Sequence, residues 1–239
     1  MTLQEIADIY GLKSKSSVGV KLKKLGIVPR KGSETKPVNI DVNFFREMSD
    51  DLAYTLGLWA TDGYVKTEGI IGIKLIDKDV IDWLVHKISY KNKVGTGVTQ
   101  AGNLYYELWF RNDEVQTILS HYGIVPQKTH TLEFKNIPKK YIPHFTRGLI
   151  DGDGAIFMSG KYYHFSFACA SLEFISDFKR FVEEAIGGDR NLTKHTTKDV
   201  YYYRISCLED LKKLGSWACY DTSFGMERKK ASFNKLLVS

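Results

Sequence analysis

One feature constrains this chain more than any other: an Asp-Gly dipeptide follows an apolar stretch twice. The two stretches read "LGLWATDGYV" over residues 56–65 and "RGLIDGDGAI" over residues 147–156. Small residues recur four positions apart in front of the dipeptides: Ala53, Gly57 and Thr61 in the first copy, Gly148 and Gly152 in the second. This spacing places them on one face of a helix. We therefore predict two helices that pack backbone to backbone and end side by side at Asp62 and Asp153.

The segments after each dipeptide repeat the same order of patterns. Apolar and polar residues alternate with period two in "IIGIKLI", "LYYELWFR", "HFSFACA" and "VYYYRISC", whereas the stretches between them have helical periodicity. One face of each predicted sheet is apolar and can take the helices, and the other is polar and aromatic. The sequence thus predicts an α+β body of two related halves, each running helix, two strands, helix, two strands, helix.

The two predicted helix ends are poor places for lone carboxylates. Carbonyl groups in the last turn of a helix lack partners and carry the negative end of its dipole, and two carboxylates placed there also repel each other. A divalent cation relieves both costs, because carboxylates and backbone carbonyls are the oxygen ligands that Mg²⁺ prefers. A single Asp-Gly is ordinary turn chemistry, but its repetition at the start of each half favours a metal site at Asp62 and Asp153.

The stretches "TLGLWATDG" and "TRGLIDGDG" resemble the two motifs of a single-chain LAGLIDADG homing endonuclease, and the resemblance covers residues 50 to about 230. It implies a pseudo-twofold pair of αββαββα halves, whose saddle-shaped antiparallel sheets straddle double-stranded DNA. It also implies that Asp62 and Asp153 are the catalytic acids. The carbonyls of Thr61 and Gly152 would help to hold the metal. The sixth motif position is Asp151 in the second copy but Ala60 in the first, which removes a non-catalytic acid.

The activity implied by the resemblance is a Mg²⁺-dependent double-strand break in a long DNA target, with Mn²⁺ as a possible substitute and the protein acting as a monomer. We expect three outward-facing cations near the strand ends to assist catalysis: Lys74, Arg111 and Arg204. We expect Lys128, Arg228 and Lys229 to neutralise the charge of the DNA backbone. The other residues predicted to contact DNA are Tyr64, Lys66, Tyr105, Glu107, Ser159, Lys161, His164, Ser166 and Tyr202, with Lys74, Arg111 and Arg204 also counted among the contacts.

The segment before the repeat is the most cationic part of a chain whose net charge is +6. Residues 1–36 hold eight Lys or Arg and three Asp or Glu. Two short helices are predicted around a glycine turn, the first with an apolar stripe of Leu3, Ile6, Ala7 and Tyr10, the second capped by Ser16 or Ser17. The pair resembles a helix-turn-helix, and its outward lysines are expected to bind DNA: Lys15, Lys21, Lys23 and Lys24. The alternative is a small helical pair with a solvated basic face.

We predict three regions: the helical segment with its linker (1–36), a first half (37–135) and a second half (136–239). No apolar run approaches the length of a membrane span. The three cysteines form no CxxC pair, which favours a reducing compartment over a zinc site. We therefore expect a cytoplasmic protein associated with the nucleoid. Two other functions remain open: a DNA-binding transcriptional regulator on the same fold, and an RNA maturase.

Overall fold

The computed structural model describes residues 3–12, 14–24, 40–128, 131–221 and 223–237. The chain divides into two compact units, Met1–Val38 and Asn39–Ser239. Within the described ranges, no helix combines the length and apolar character needed to cross a membrane.

The first unit contains helices α1 (Leu3–Ile9) and α2 (Lys15–Lys24). Ala7 is buried, as predicted, but Tyr10 is 71% exposed. The stripe ends early because α1 stops at Ile9 and Gly11 turns the chain with a φ of +59°. The linker that ends the predicted helical segment falls outside the described residues.

The start of α2 also differs from the prediction. This helix begins at Lys15, ahead of both serines that were expected to cap it. The Ser17 backbone NH donates to Ser14 Oγ at 3.4 Å, so Ser14 occupies the capping position. A serine one turn earlier satisfies a free amide of the first turn equally well, which is why sequence alone placed the cap too late.

The second unit consists of two halves with the same order of elements. The first half contains α3 (Asn43–Arg46), α4 (Asp50–Thr61), β1 (Gly63–Val65), β2 (Ile70–Leu75), α5 (Lys78–Lys87), β3 (Gly95–Val98), β4 (Leu104–Arg111) and α6 (Asp113–His121). The second half contains a 3₁₀ turn (Lys139–Tyr141), α7 (Ile142–Asp153), β5 (Gly154–Ser159), β6 (Tyr162–Cys169), α8 (Leu172–Ile186), β7 (Thr193–Lys194), β8 (Tyr201–Ile205), α9 (Leu208–Trp217) and α10 (Glu227–Leu237). The α+β class and the duplicated αββαββα order are confirmed, with α3 and α10 as additions.

Each half has one four-stranded antiparallel sheet, in the order β1-β2-β4-β3 or β5-β6-β8-β7. The predicted alternation holds. One face of each sheet is buried, with Ile73 and Leu108 paired in the first and Phe167 and Tyr203 paired in the second. The opposite faces are exposed or half-buried, as Lys74 illustrates. We call these opposite faces the outer faces.

Helices α4 and α7 cross at Gly57 and Gly148, whose Cα atoms approach so closely that neither position can carry a side chain. A Cβ on Gly57 would lie 2.9 Å from Gly148 Cα, and a Cβ on Gly148 would lie 2.9 Å from Gly57 Cα. The predicted packing of small residues is confirmed, and both helices are thereby fixed with their carboxyl ends next to each other.

A segment of the second half, residues 224–229, crosses onto the first half. Phe224 stacks on Trp83 of α5 with a centroid distance of 4.6 Å and an interplanar angle of 6°. Arg228 forms a two-pronged ion pair with Asp77 at 2.8 and 3.1 Å. The Glu227 backbone NH donates to Asp79 Oδ2 at 2.9 Å. This crossing segment joins the two halves beside the motif helices, where Tyr54 of α4 packs edge-on against both Trp83 and Phe224.

Candidate active site

The two acids of the repeated dipeptides emerge together at the ends of the motif helices. Asp62 is the residue that follows α4, and Asp153 is the last residue of α7. A Cβ on Gly152 would overlap the Thr61 side chain and lie 2.8 Å from Asp62 Oδ2. Glycine at position 152 therefore lets the end of α7 approach the Asp62 carboxylate.

Both carboxylates lie in surroundings that disfavour negative charge. Burial raises the pKa of Asp62 to about 6, and repulsion from Asp153 adds to the effect. The pKa of Asp153 is also raised, again first by loss of solvation. The Asp153 side chain is open to solvent, but it lines a pocket of about 240 Å³ together with Thr61 and Lys128, so protein replaces much of its surrounding water. No described residue donates a hydrogen bond to either carboxylate.

Two lysines lie beside the acids in matching positions. Lys128 Nζ donates to the carbonyl oxygen of Gly63, the residue after Asp62, at 2.5 Å. Lys229 Nζ donates to the carbonyl oxygen of Gly154, the residue after Asp153. The charge of Lys128 acts on both acids, and that of Lys229 acts on Asp153. Burial lowers the pKa of both lysines, while the nearby acids raise it.

Lys229 is 6% exposed and Lys128 is half-buried. Both side chains therefore point into the protein at the acids. The sequence placed them on the DNA backbone because they lie in the basic stretches "PQKT" and "MERKK" that close the two halves. The repetition of those stretches is the one sequence signal for this lysine pair.

A third cation, Arg228, lies within electrostatic range of Asp62 and lowers its pKa, while Asp77 raises it. Because Arg228 is already paired with Asp77, the two charges form a neutral unit beside the site. No described residue stands in the same relation to Asp153.

Asp151, the acid two residues before Asp153, has a different environment. It is fully buried and accepts three hydrogen bonds, from Tyr54 Oη at 2.8 Å, Tyr220 Oη at 2.5 Å and the Met226 backbone NH at 2.7 Å. Burial raises its pKa to about 6, and the three donors oppose that rise. Its oxygens are committed to these donors, so Asp151 holds the structure together rather than facing the site.

The oxygen atoms near the two acids suit a hard cation such as Mg²⁺ only in part. Within the described residues, no group of three or more His, Cys, Asp or Glu side chains could hold a metal ion. Two carboxylates without hydrogen-bond donors and with raised pKa values are nevertheless oxygen ligands that gain from a nearby positive charge. The Thr61 hydroxyl donates to the carbonyls of Gly57 and Leu58 at 3.2 and 3.1 Å, which leaves the Thr61 carbonyl as its available ligand atom.

The strand register separates the three cations that were expected to assist catalysis. Gly63 pairs with Ile73, so Lys74 lies at the level of Asp62 on the outer face. Arg204 pairs with Ser166, which pairs with Ala155, so Arg204 lies at the level of the residue that follows Gly154. Arg111 pairs with Ile70 at the other end of β2, about four residues or roughly 13 Å along the sheet from the level of Asp62. The structure does not bring Arg111 to the acids.

The remaining predicted DNA contacts lie mostly on the outer faces. Exposed or half-buried side chains there are Tyr64, Tyr105, Glu107, Ser159, His164, Ser166 and Tyr202, and Lys66 and Lys161 lie exposed at the strand turns. Arg204 stacks over the Tyr202 ring at 4.7 Å, and His164 Nδ1 hydrogen-bonds Ser206 Oγ at 2.9 Å. In the first unit, Lys21 and Lys24 are exposed; the side chains of Lys15 and Lys23 fall outside the description.

Two αββαββα halves, joined by glycine-packed helices that end in paired acids, define a two-motif LAGLIDADG fold. Residues 140–216 match the family model described as a LAGLIDADG-like domain. The resemblance inferred from the sequence is thereby confirmed. Comparison with curated proteins finds no match.

Solved structures share the fold at low sequence identity. The LAGLIDADG meganuclease I-AabMI, bound to uncleaved DNA, matches with a TM-score of 0.52 and 12% identity over 80% of this chain and 90% of its own. The homing endonuclease I-GzeII, in complex with its DNA target, matches with a TM-score of 0.54 and 13% identity over 80% of this chain and 89% of its own. The N-terminal LAGLIDADG domain of DUF199/WhiA matches with a TM-score of 0.50 and 11% identity over 80% of this chain and 96% of its own.

Proposed function

We propose that this protein is a site-specific DNA endonuclease that makes a metal-dependent double-strand break in a long target, as a homing endonuclease does. The observation that carries the proposal is the matched arrangement at the helix ends, where each acid is followed by a glycine whose carbonyl accepts from a lysine, half-buried Lys128 or buried Lys229. Two such arrangements side by side suit two phosphodiester bonds, one on each strand. The DNA-bound structures of I-AabMI and I-GzeII support the same reading.

The proposed metal ligands are the carboxylates of Asp62 and Asp153 and the carbonyl oxygens of Thr61 and Gly152. Mg²⁺, or Mn²⁺ in its place, would supply a water of lowered pKa and neutralise charge on the phosphate. The raised pKa of Asp62 fits this assignment, because a carboxylate that is poorly solvated gains most from a cation.

The chain's own residues then have distinct tasks. Each carboxylate must be ionised, both to hold the cation beside its own DNA strand and to accept a proton from the attacking water. An ammonium group has three donors, and the carbonyl of Gly63 or Gly154 takes one of them from its lysine. The remaining donors of Lys128 and Lys229 are free to stabilise the phosphate oxygens as negative charge grows on them.

DNA binding is assigned to the outer faces of the two sheets and to the first unit. The cations there are Lys66, Lys74, Arg111, Lys161 and Arg204 on the sheets, and Lys15, Lys21, Lys23 and Lys24 on α2. We propose that residues 1–36 form an accessory DNA-binding segment and that residues 37–135 and 136–239 form the catalytic halves. The protein would act as a monomer, since both acids lie in one chain, and in a reducing cytoplasmic compartment, where its three cysteines would stay reduced.

The second candidate is sequence-specific DNA binding without cleavage. The match to the N-terminal LAGLIDADG domain of DUF199/WhiA favours it, because the fold occurs there in a protein that is not named as a meganuclease. A third candidate, the RNA maturase, would need binding to structured RNA. These candidates differ in what they do to a DNA duplex that contains the right sequence.

The deciding experiment incubates the full chain with a random library of linear duplexes and Mg²⁺, then sequences the cut ends. We expect one family of cut sequences, which is absent with chelator and absent for the Asp62→Asn, Asp153→Asn double variant. Binding to specific duplexes without cutting would favour the regulator. Failure to bind any duplex, together with binding to a structured intron RNA, would favour the maturase.

A further inference from the structure

The outer face of the first sheet carries an unexpected carboxylate. Glu107, on β4, is the one acidic side chain within the eight strands that the structure describes. A surface that lies against DNA phosphates normally excludes acids, because like charges repel. An acid kept on such a face therefore needs a partner that compensates its charge.

Glu107 is held in a fixed place. Tyr64 Oη donates to Glu107 Oε1 at 3.0 Å, and Lys74 is directly opposite Glu107 in the strand pairing. The Lys74 ammonium lies 3.7 Å from the centroid of the Tyr105 ring. We refer to Tyr64, Lys74, Tyr105 and Glu107 as the Glu107 cluster.

Glycines make room for this cluster. A Cβ on Gly72 would lie 2.5 Å from Tyr64 Oη, so Tyr64 reaches Glu107 from β1 by lying across Gly72 of β2. A Cβ on Gly97 would lie 2.5 Å from Tyr105 Oη. The two tyrosines thus lie flat on the sheet, and Lys74 and Glu107 project from directly opposite positions of β2 and β4.

We propose that Glu107 is a specificity-determining residue that selects cytosine at one position of the half-site bound by the first sheet, with Tyr64 as the residue that positions it. The inference rests on the proposed binding of DNA by this face. The Glu107 oxygens accept from the cytosine N4 amino group in the major groove, and Lys74 donates to the O6 or N7 acceptors of the paired guanine.

The pattern of groups on base edges leads to cytosine. Guanine and thymine offer only acceptors in the major groove, which a carboxylate repels. Adenine offers an N6 amino group, but its N7 acceptor lies beside that group and faces the second carboxylate oxygen. Cytosine has a C–H group there instead. A C·G pair also places its donor next to the guanine acceptors, which matches an acid next to a lysine.

The test selects bound duplexes from a randomised library in the presence of chelator, so that binding is measured without cutting. Wild type is compared with Glu107→Gln, Tyr64→Phe and a matched control, Glu209→Gln, which removes an exposed acid on α9. Circular dichroism confirms the fold of each variant. A parallel selection with Mg²⁺ measures cutting.

We expect wild type to enrich cytosine at one position. Glu107→Gln should reduce that preference by about tenfold, Tyr64→Phe should reduce it less, and all other positions and the control should remain unchanged. An unchanged preference in Glu107→Gln, a loss at a position that selects adenine, guanine or thymine, or a wild type that enriches no sequence would each overturn the proposal. A wild type that selects cytosine but cuts nothing would overturn the endonuclease function and leave this inference standing.

Discussion

The two motif helices differ most at the position two residues before the terminal acid. In α4 that residue is Ala60, which follows the buried Trp59. In α7 it is Asp151, which accepts hydrogen bonds from Tyr54, Tyr220 and Met226. The position is therefore apolar in the first helix, whereas in the second it is a buried acid that also binds Tyr54 of the first.

What the halves retain in common is limited to a few positions. The crossing glycines match, the terminal acids match, and each acid is followed by a glycine whose carbonyl accepts from a lysine. These positions fix where the two helix ends and the two carboxylates lie. The residues behind them differ without altering that geometry, which indicates that the requirement for symmetry is confined to the crossing glycines, the acids and their lysines.

The largest expected effect comes from removing one acid at a time. Asp62→Asn and Asp153→Asn should each slow double-strand cutting by at least about a thousandfold, because the charge at one strand is lost. Supercoiled plasmid carrying the selected target should accumulate as nicked circles. Asp82→Asn, at an exposed acid on α5, is the control. Full linearisation by either variant would show that the acids do not serve separate strands.

Lys128 and Lys229 should each serve one DNA strand, as the two acids do. Lys128→Met and Lys229→Met each remove an ammonium group beside an acid while keeping a side chain of similar length. We expect cutting to slow by about a hundredfold in each, with binding measured in chelator changed little. Arg180→Met, an exposed cation on α8, is the control. A loss of binding equal to the loss of cutting would instead assign these lysines to the DNA backbone.

A third change sharpens the contrast between Asp151 and Ala60. Asp151→Ala should lower the free energy of unfolding by about 3–5 kcal/mol, since three donors lose their acceptor in a buried place. Asp189→Ala, whose side chain is 93% exposed, should change it by less than about 0.5 kcal/mol. Urea denaturation measures both. Equal stability of the two variants would remove the buried acid from any structural role.

The pH dependence of stability gives a smaller effect of known sign. The folded pKa of Asp151 is raised to about 6 from an ordinary value of 3.8, so folding favours its neutral form. The contribution of the Asp151 carboxyl group to the free energy of unfolding is fully present below about pH 4 and is lost as the pH rises through 6. The loss amounts to about 3 kcal/mol. Urea denaturation in chelator should show a smaller decline between pH 4 and 7 for Asp151→Asn than for wild type; parallel curves would contradict the raised pKa.

The smallest effect should come from residues 1–38. A protein that begins at residue 39 keeps both acids and both lysines, so it should cut at the same position. It should bind DNA more weakly at low salt, and the difference should fade as salt rises because phosphate contacts are screened. Fluorescence anisotropy at several salt concentrations measures this. Unchanged affinity would assign the first unit a passive role, and failure to fold would move the domain boundary.

Much of this architecture was predictable because it repeats at short range. Four-residue spacing of glycines predicted the helix crossing, and period-two alternation predicted which faces of the strands are buried. The position of Asp62 and Asp153 at the helix ends followed from the same patterns. Each of these depends on residues within one turn of helix or one strand.

The parts that sequence reasoning missed depend on residues far apart in the chain. Lys229 and Gly154 are separated in the chain by α8, α9 and the loops between them, and only the fold brings them together. In the sequence, the basic neighbours of Lys229 suggested a surface position instead. The three donors to Asp151 come from α4, from the loop after α9 and from the residue that precedes α10. No local pattern marks such a set, and hydrogen bonds between distant polar residues leave no periodicity in the sequence.

The crossing of residues 224–229 onto α5 limits how this protein can be recombined with its relatives. A hybrid that joined its first half to a foreign second half would leave Trp83 without its stacking partner and Asp77 without Arg228. That unpaired aspartate would then add negative charge beside Asp62, where a carboxylate is already costly to ionise. An exchange of halves that preserves activity should therefore transplant residues 224–229 together with the first half.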